Sequence, residues 1–316
     1  MLLTAFALAA ALPHTAAAAP TTTALVAVAP QHIRDGGMVG DLYRPARAGR
    51  APAILLLGGS EGGLGNAAAV QAAALAAHGY IVFQLSYFGS PGQPVALKSI
   101  ELETFTRALD WLKAQPGVAG DRIGIVGTSK GAEAALLVAS RRTDLKIAVL
   151  GVPSSVVWPG IDREGLVTES SWTAGGKAVP FTPYGWTGEW HGIHALYADA
   201  LADPAKAAAG AIPAERAQAA IVMVCGEADG LWPSCPMARA VETRLKAAGY
   251  RHPVMVLAYP DAGHAAFGPP PDPASQAAGM AAPLGGSAAG NRAARVDGWP
   301  RVLAALDAAL TPGTDR

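Results

Sequence analysis

The chain has 316 residues, about half of them apolar, and its 24 Lys and Arg side chains balance 24 Asp and Glu side chains. This composition is typical of a globular protein with a sizeable core and excludes an intrinsically disordered chain. The neutral net charge, without a block of basic residues, argues against nucleic acid or anionic lipid as a partner. The length allows one large domain or two small ones and leaves the oligomeric state open.

The first nineteen residues, MLLTAFALAAALPHTAAAA, differ from the rest of the chain. They form an apolar run without an acidic residue, and an A-x-A cleavage site lies near Ala18 or Ala19. The apolar part is too short to span a bilayer as a helix. We therefore predict a signal peptide at 1–19 and a single periplasmic or secreted domain at 20–316. A disordered Ala-rich start has the same composition, and it would leave the protein in the cytoplasm.

Short apolar runs then alternate with Ala- and Leu-rich segments at helical spacing. The runs are nearly continuous, as in strands that are buried on both faces, and they lie at 53–57, 80–86, 122–127, 146–151, 220–225 and 253–259. Strands that alternate with helices of this length predict an α/β fold, a mostly parallel sheet with helices on both faces. Residues 32–46 predict an antiparallel hairpin at the edge of that sheet.

Residues 153 to about 215 interrupt this alternation with aromatic residues among glycines and prolines. The stretch follows a predicted strand that ends at Gly151, where a lid over an active site would be inserted. Ordinary packing accounts for any one of these aromatic residues, but together they predict the wall of an apolar pocket. The predicted substrate-binding residues are Trp158, Trp186 and Trp190 in this insertion and Trp232 beyond it.

The last third of the chain carries two cysteines and a second irregular stretch. Cys225 and Cys235 stand ten residues apart. In an exported protein they would form a disulfide, and otherwise Cys225 is a small buried strand residue; the sequence leaves both open. Residues 268–290, rich in Pro, Gly and Ala, predict a long surface loop. A final helix is predicted at 291–310, with a kink at Pro300.

The strongest chemical signal is the sequence GTSKG at 127–131, which follows one predicted strand and opens a helix. This is the context of a nucleophile elbow, in which Ser129 sits on a sharp turn that presents its hydroxyl above the sheet. The turn needs neighbours without side chains, and Gly127 and Gly131 fit. The backbone N–H of Lys130 would then point at a developing oxyanion. The alternative is a tight turn that happens to contain a serine.

A catalytic serine needs a base, and His264 is the predicted one. It follows the strand at 253–259 and comes after the serine, as in the Ser, acid, His order of such enzymes. His191 and His194 have a spacing that suits a metal, but no further ligand accompanies them. They are therefore interpreted as pocket or surface residues.

The acid that orients the histidine is predicted to be Asp229, which follows the strand at 220–225 and lies at the same sheet edge. Glu227 is the second choice, and Asp261 is interpreted as a turn residue beside His264. The glycine cluster GGSEGGLG at 58–65 predicts the other half of the oxyanion hole. Ser60 is the predicted donor there, followed by Glu61. A phosphate-binding loop is the alternative, but no G-K-[ST] follows.

Several segments together carry a family resemblance. GGSEGGL, LSYFGSPGQP, the run ELETFTRALDWLKAQPGVAGDRIGIVGTSKGAEAALL, GEADGLWPSCPMA and LAYPDAGHAAFGPP span much of residues 50–310. They resemble the catalytic domain of the acyl-CoA thioesterase and bile acid-CoA:amino acid N-acyltransferase family, whose α/β-hydrolase fold is dienelactone-hydrolase-like. The resemblance implies that Ser129, Asp229 and His264 occupy the triad positions.

The resemblance implies a hydrolase of small acyl esters or thioesters that needs no metal or organic cofactor. The acyltransferase branch of the family uses a cysteine nucleophile, so Ser129 favours hydrolysis over amide formation. Because coenzyme A is a cytoplasmic compound, an exported protein would be a carboxylesterase or a dienelactone-hydrolase-like enzyme on other esters. A binding protein that kept the fold and lost turnover is a third hypothesis.

Overall fold

The computed structural model describes residues 29–311, except residues 48, 63, 163–164, 187 and 272–283. The predicted signal peptide at 1–19 lies outside the described residues. None of the helices in the described ranges is long and apolar enough to cross a membrane.

Each predicted apolar run forms a strand, and helices lie between most of them. The strands are β1 (Gln31–Asp35), β2 (Met38–Tyr43), β3 (Ala51–Leu57), β4 (Ile81–Ser86), β5 (Ile100–Glu101), β6 (Val118–Thr128), β7 (Leu145–Gly151), β8 (Pro159–Asp162), β9 (Gly165–Ser170), β10 (Trp172–Ala174), β11 (Lys177–Ala178), β12 (Ala220–Gly226) and β13 (Val254–Tyr259). The helices are α1 (Asn66–His78), α2 (Leu102–Lys113), α3 (Lys130–Ala139), α4 (Ile193–Ala202), α5 (Pro204–Ala209), α6 (Ser234–Ala247) and α7 (Ala288–Leu310).

Eight of the described strands form a central sheet in the order β1-β2-β4-β3-β6-β7-β12-β13. The six strands from β4 to β13 pair in parallel, whereas β1 and β2 form an antiparallel hairpin that joins the sheet through β4. The predicted parallel sheet and its edge hairpin are therefore confirmed.

The core lies on both faces of this sheet because the central strands place apolar side chains on both sides of it. In β3, Leu55 and Leu57 pack on one face against α2 and α3, and Ile54 and Leu56 pack on the other against α1 and α7. Each such side chain contributes roughly 1.5–3 kcal/mol when it is fully buried. The continuous apolar runs therefore reflect strands whose side chains are buried on both faces of the sheet.

Parallel strands bring their carboxyl ends to the same edge of the sheet, and this places the loops that matter. Thr128 at the end of β6 pairs with Gly151 at the end of β7. Gly226 at the end of β12 pairs with Tyr259 at the end of β13. The segments after β6, β12 and β13 therefore leave the sheet side by side.

The insertion predicted at 153–215 contains short strands and helices that do not join the central sheet. β8 and β9 form an antiparallel pair, and β10 pairs with β11 and with β5, which precedes α2. The final helix α7 starts at Ala288, three residues before the predicted start at 291, and continues through Pro300.

Candidate active site

Ser129 lies in a sharp turn between β6 and α3, with a left-handed backbone φ of 56°. Such a conformation is unusual for a residue other than glycine and is stable only when its surroundings impose it. They do so here because a Cβ on Gly127 would lie 2.2 Å from the Gly131 carbonyl oxygen, and one on Gly131 would lie 2.2 Å from that of Gly58. Gly127 and Gly131 are thus required because any side chain at either position would overlap backbone atoms.

A chain of hydrogen bonds links Ser129, His264 and Asp229. The Nε2 atom of His264 lies 2.9 Å from Oγ of Ser129. The Nδ1 atom lies 2.9 and 3.1 Å from the two carboxylate oxygens of Asp229. The three residues that the sequence selected from separate loops therefore meet in one place, with the histidine in the middle.

Asp229 is oriented by its own turn. Its Oδ1 accepts hydrogen bonds from the backbone N–H groups of Leu231, at 2.9 Å, and Trp232, at 3.2 Å. The side chain is almost completely buried. A carboxylate that is fixed in this way can hold an imidazole in one tautomer and stabilise its protonated form.

A disulfide joins the two ends of the turn that carries Asp229. Cys225 is the second-last residue of β12, and Cys235 is the second residue of α6; their sulfur atoms are bonded. Both side chains are fully buried. Of the two alternatives left open by the sequence, the structure has the disulfide.

The segment from Leu284 to Ser287 lies between the loops of Asp229 and His264. The Leu284 carbonyl accepts hydrogen bonds from the N–H groups of Gly230, at 3.2 Å, and His264, at 2.8 Å. Gly285 and Gly286 form β-bridges with Asp229 and Ala262, respectively. Of the surface loop predicted at 268–290, residues 272–283 lie outside the described residues, and residues 284–287 are half-buried and bridge the two loops. Composition alone indicated a loop, because backbone pairing over such a distance leaves no signal in it.

The glycine loop after β3 lies directly against the serine. A Cβ on Gly59 would lie 3.3 Å from Cβ of Ser129. The two residues that follow, Ser60 and Glu61, are exposed, and the Glu61 carboxylate folds back towards Gly58 and Gly59. The contact to Ser129 thus comes from the glycine that precedes Ser60.

Tyr87 fixes this glycine loop and was not selected from the sequence. Its hydroxyl donates to the carbonyl oxygens of Gly58, at 2.7 Å, and Gly59, at 3.0 Å. Burial raises the pKa of Tyr87 well above its usual value, and the Glu61 and Glu133 carboxylates raise it further. The hydroxyl therefore stays protonated and remains a donor.

The four tryptophans predicted to bind substrate fall into two pairs. Trp158 and Trp232 are buried on either side of Tyr197, and the ring of Trp232 lies 5.6 Å from that of His264. Trp186 and Trp190 are 56% and 57% exposed. Trp232 thus packs against the histidine and Trp158 lies beyond Tyr197, whereas the exposed pair offers apolar surface to solvent.

The other candidates have different surroundings. Glu227 forms an ion pair with Arg239, and Asp261 accepts a hydrogen bond from Ser287 Oγ at 2.5 Å. His191 is exposed and lies 3.7 Å from Glu189. Over the part of the chain that the structure describes, no group of three or more His, Cys, Asp or Glu side chains is arranged to hold a metal ion.

The chain is similar in sequence to known proteins. Residues 100–312 match the family model described as BAAT / Acyl-CoA thioester hydrolase C terminal. Acyl-coenzyme A thioesterase 1 of Homo sapiens is 30% identical over 281 residues, which cover 85% of this chain and 63% of that protein. The mitochondrial acyl-coenzyme A thioesterase 2 of Homo sapiens is also 30% identical, over 85% of this chain and 55% of that protein. The chain therefore spans about three fifths of the length of these relatives.

Solved structures with low sequence identity share the fold. A puromycin-hydrolyzing peptidase of Mycobacterium tuberculosis has a TM-score of 0.60 at 13% identity, over 93% of this chain and 41% of that chain. A dienelactone hydrolase-like promiscuous phosphotriesterase from metagenomic libraries has a TM-score of 0.52 at 16% identity, over 90% of this chain and 99% of that chain. The fold is that of an α/β-hydrolase.

Proposed function

The chain belongs to the BAAT / acyl-CoA thioester hydrolase C-terminal family, and from this premise we propose that it hydrolyses acyl thioesters or esters through an acyl-enzyme on Ser129. The observation that carries the proposal is the hydrogen-bonded series from Ser129 through His264 to Asp229. A serine hydroxyl is a weak nucleophile unless a neighbouring base removes its proton, and here the base lies within hydrogen-bond distance.

In the first half of the reaction, Oγ of Ser129 attacks the acyl carbonyl carbon while its proton passes to Nε2 of His264. The tetrahedral intermediate then collapses, and the leaving thiol or alcohol takes that proton. In the second half, water attacks the acyl-enzyme and His264 accepts its proton, which returns to Ser129 as the carboxylic acid leaves. Asp229 holds the imidazole and stabilises its protonated form in both halves.

The oxyanion would be stabilised by backbone N–H groups from two segments. Lys130 is the first residue of α3, and the first N–H groups of a helix have no partner within the helix. The second donor would come from the loop after β3, with Ser60 first and Glu61 next. The contact of Gly59 with Ser129 supports a donor from this loop.

Two substrate classes follow from different observations. Similarity to acyl-coenzyme A thioesterases favours acyl-CoA. The Cys225–Cys235 disulfide favours an oxidising compartment, where disulfides persist, and with the proposed signal peptide at 1–19 this supports an exported carboxylesterase on other esters. In both cases Trp158, Trp186, Trp190 and Trp232 are proposed to form the apolar surroundings of the acyl or aryl group, with the exposed pair nearest to solvent.

The test is the turnover of a matched pair of substrates, a p-nitrophenyl acyl ester and the coenzyme A thioester of the same acid. Ser129→Ala should lower kcat by at least about 10⁴-fold on whichever substrate is used, since the acyl-enzyme cannot form. Ser140→Ala is the matched control because it removes a hydroxyl at the far end of the same helix, where Oγ donates to the Leu137 carbonyl and accepts from Arg141.

The outcomes separate the hypotheses. Preference for the thioester supports the thioesterase, and preference for the oxygen ester supports the carboxylesterase. Turnover by Ser129→Ala equal to that of the natural protein would refute the nucleophile. Failure of a fluorophosphonate to label Ser129, with no turnover of either substrate, would favour a binding protein.

A further inference from the structure

A buried ion pair lies in the first turn of α3, directly after Ser129. The Lys130 ammonium donates to both carboxylate oxygens of Glu133, at 2.7 and 2.8 Å. Their side chains are 2% and 0% exposed. Burial lowers the pKa of Lys130 and raises that of Glu133, and in each case the charge of the other residue opposes the change. Charges this deep in a protein are retained only where their partners are well placed.

Glu133 is also bound by the insertion. Its Oε1 accepts hydrogen bonds from the backbone N–H of Trp158, at 3.1 Å, and from the indole Nε1 of Trp172, at 2.7 Å. The carboxylate therefore joins the helix that begins after Ser129 to two separate points of the insertion. The Lys130 ammonium lies 5.4 Å from the centre of the Trp172 ring, which adds a cation–π contact.

The Trp172 ring extends these contacts to the glycine loop. Its centre lies 6.0 Å from that of Tyr87, and Phe105 packs against both rings. Tyr87 in turn holds the carbonyl groups of Gly58 and Gly59. A continuous set of buried contacts thus runs from Lys130 through Trp172 to the loop after β3.

We propose that Glu133, Trp172 and Tyr87 are positioning residues that keep the two backbone segments of the oxyanion hole at a fixed separation. The inference rests on the proposed role of Ser129, because it concerns the donors that would serve its intermediate. Those donors must lie within about 2.7–3.1 Å of the oxyanion, and a fully bonded buried network resists the small displacements that would spoil this geometry. None of the three residues needs to touch the substrate.

Two conservative substitutions test the network from either end. Trp172→Phe keeps an aromatic ring beside Lys130 but removes the indole N–H bond to Glu133, and Tyr87→Phe removes only the hydroxyl that holds Gly58 and Gly59. Each should lower kcat by about 10- to 100-fold with KM within about two-fold, since oxyanion contacts form in the transition state and a misplacement of about 1 Å can cost 10²-fold. The pH profile of kcat should keep its shape.

A pair of inhibitors separates positioning from a general structural role. An acyl trifluoromethyl ketone forms an oxyanion on the serine, whereas the matching methyl ketone binds without one. Both variants should lose affinity for the first by the same factor as kcat and keep their affinity for the second. Equal losses for the two inhibitors would overturn the proposal.

The controls keep failure of this inference distinct from failure of the proposed function. Tyr250→Phe removes a half-buried tyrosine hydroxyl that donates to the Ala219 carbonyl, and it should leave kcat unchanged. Lys130→Met with Glu133→Gln removes both buried charges together, so that no charge is left unpaired, and it should lower kcat as Trp172→Phe does. Suppose that Ser129→Ala is inactive but Trp172→Phe and Tyr87→Phe keep full kcat and full affinity for the trifluoromethyl ketone. This result would refute the positioning network and leave the nucleophile in place. An active Ser129→Ala would refute the nucleophile.

Discussion

The turn that carries Ser129 and the loops that carry Asp229 and His264 are held in place by different physical means. The serine turn is fixed by excluded volume, because Gly127, Gly131 and Gly58 bring backbone atoms so close that no side chain fits between them. Ser129 also donates its own N–H to the Gly151 carbonyl, at 2.9 Å. Its geometry is therefore set by close backbone contacts, both beside the serine and with the strands that flank β6.

The acid and base loops depend instead on distant partners. The Leu284 carbonyl binds both loops, the side chain of Asn291 binds the Gly263 N–H at 2.8 Å, and the disulfide closes the turn of Asp229. Leu284 and Asn291 lie far along the chain from the loops that they bind, whereas the disulfide closes a short turn around Asp229. The comparison teaches that the nucleophile is held by close backbone packing on glycines, whereas the loops of the acid and the base also depend on hydrogen bonds to Leu284 and Asn291.

The largest effect is expected in the acid and base loops, when the carboxylate of Asp229 is replaced while the hydrogen bonds that hold its loop remain. Asp229→Asn keeps an oxygen for the N–H groups of Leu231 and Trp232, but its amide N–H₂ would face Nδ1 of His264 and favour the wrong tautomer. We expect kcat to fall about 10⁴-fold with little change in the free energy of unfolding. Steady-state kinetics and a urea titration measure the two quantities. A fall of less than ten-fold would remove Asp229 from the proposed mechanism.

The next largest effect is expected in the turn that carries Ser129, and it should be a loss of stability. Gly131→Ala would put a Cβ 2.2 Å from the Gly58 carbonyl oxygen, and neither backbone can move without disturbing the sheet. We expect the free energy of unfolding to fall by about 4 kcal/mol. Gly120→Ala is the control in strand β6, which leads into the serine turn, because the nearest atom to the new Cβ there lies 3.5 Å away. If the two variants unfolded at the same urea concentration, excluded volume would not be what fixes the serine turn.

The same contrast explains which parts of the site were predictable. The steric constraint at Ser129 forces glycine at two fixed positions, so it is visible as GTSKG between a strand and a helix. His264 and Asp229 were predictable because parallel strands deliver their following loops to one edge of the sheet, where the candidates are few. The strands themselves were predictable because burial on both faces leaves continuous apolar runs.

The rest left no such signal. Leu284 acts through its backbone carbonyl, and every residue has one, so its side chain carries no information about the role. Tyr87 and Trp172 read as ordinary core aromatics, since their partners come from separate parts of the chain. Lys130 and Glu133 did offer a sign, a Lys and a Glu three residues apart in an otherwise apolar helix. That spacing indicates an ion pair, but not its burial.

Removal of the disulfide should destabilise the acid and base loops while leaving the turn of Ser129 intact. Cys225→Ala with Cys235→Ala should lower the free energy of unfolding by about 3 kcal/mol, the value expected for a closed loop of this length. Thermal unfolding with and without a reductant measures the effect. Because the chain has two cysteines, reduction of the natural protein should reproduce the variant, and the variant itself should not respond to the reductant. A response by the variant would mean that the reductant acts elsewhere.

The smallest effect concerns Asn291 of α7, which binds the loop of His264. Asn291→Ala leaves the buried N–H of Gly263 without its acceptor, which should cost about 1–3 kcal/mol of unfolding free energy. Because Gly263 precedes His264, kcat should also fall several-fold while KM stays constant, and urea titrations and steady-state kinetics would show this. Arg301→Ala, an exposed change on the same helix, should alter neither quantity. If Asn291→Ala lowered stability and left kcat unchanged, α7 would support the fold but not the base, and the contrast between the two regions would rest on Leu284 and the disulfide alone.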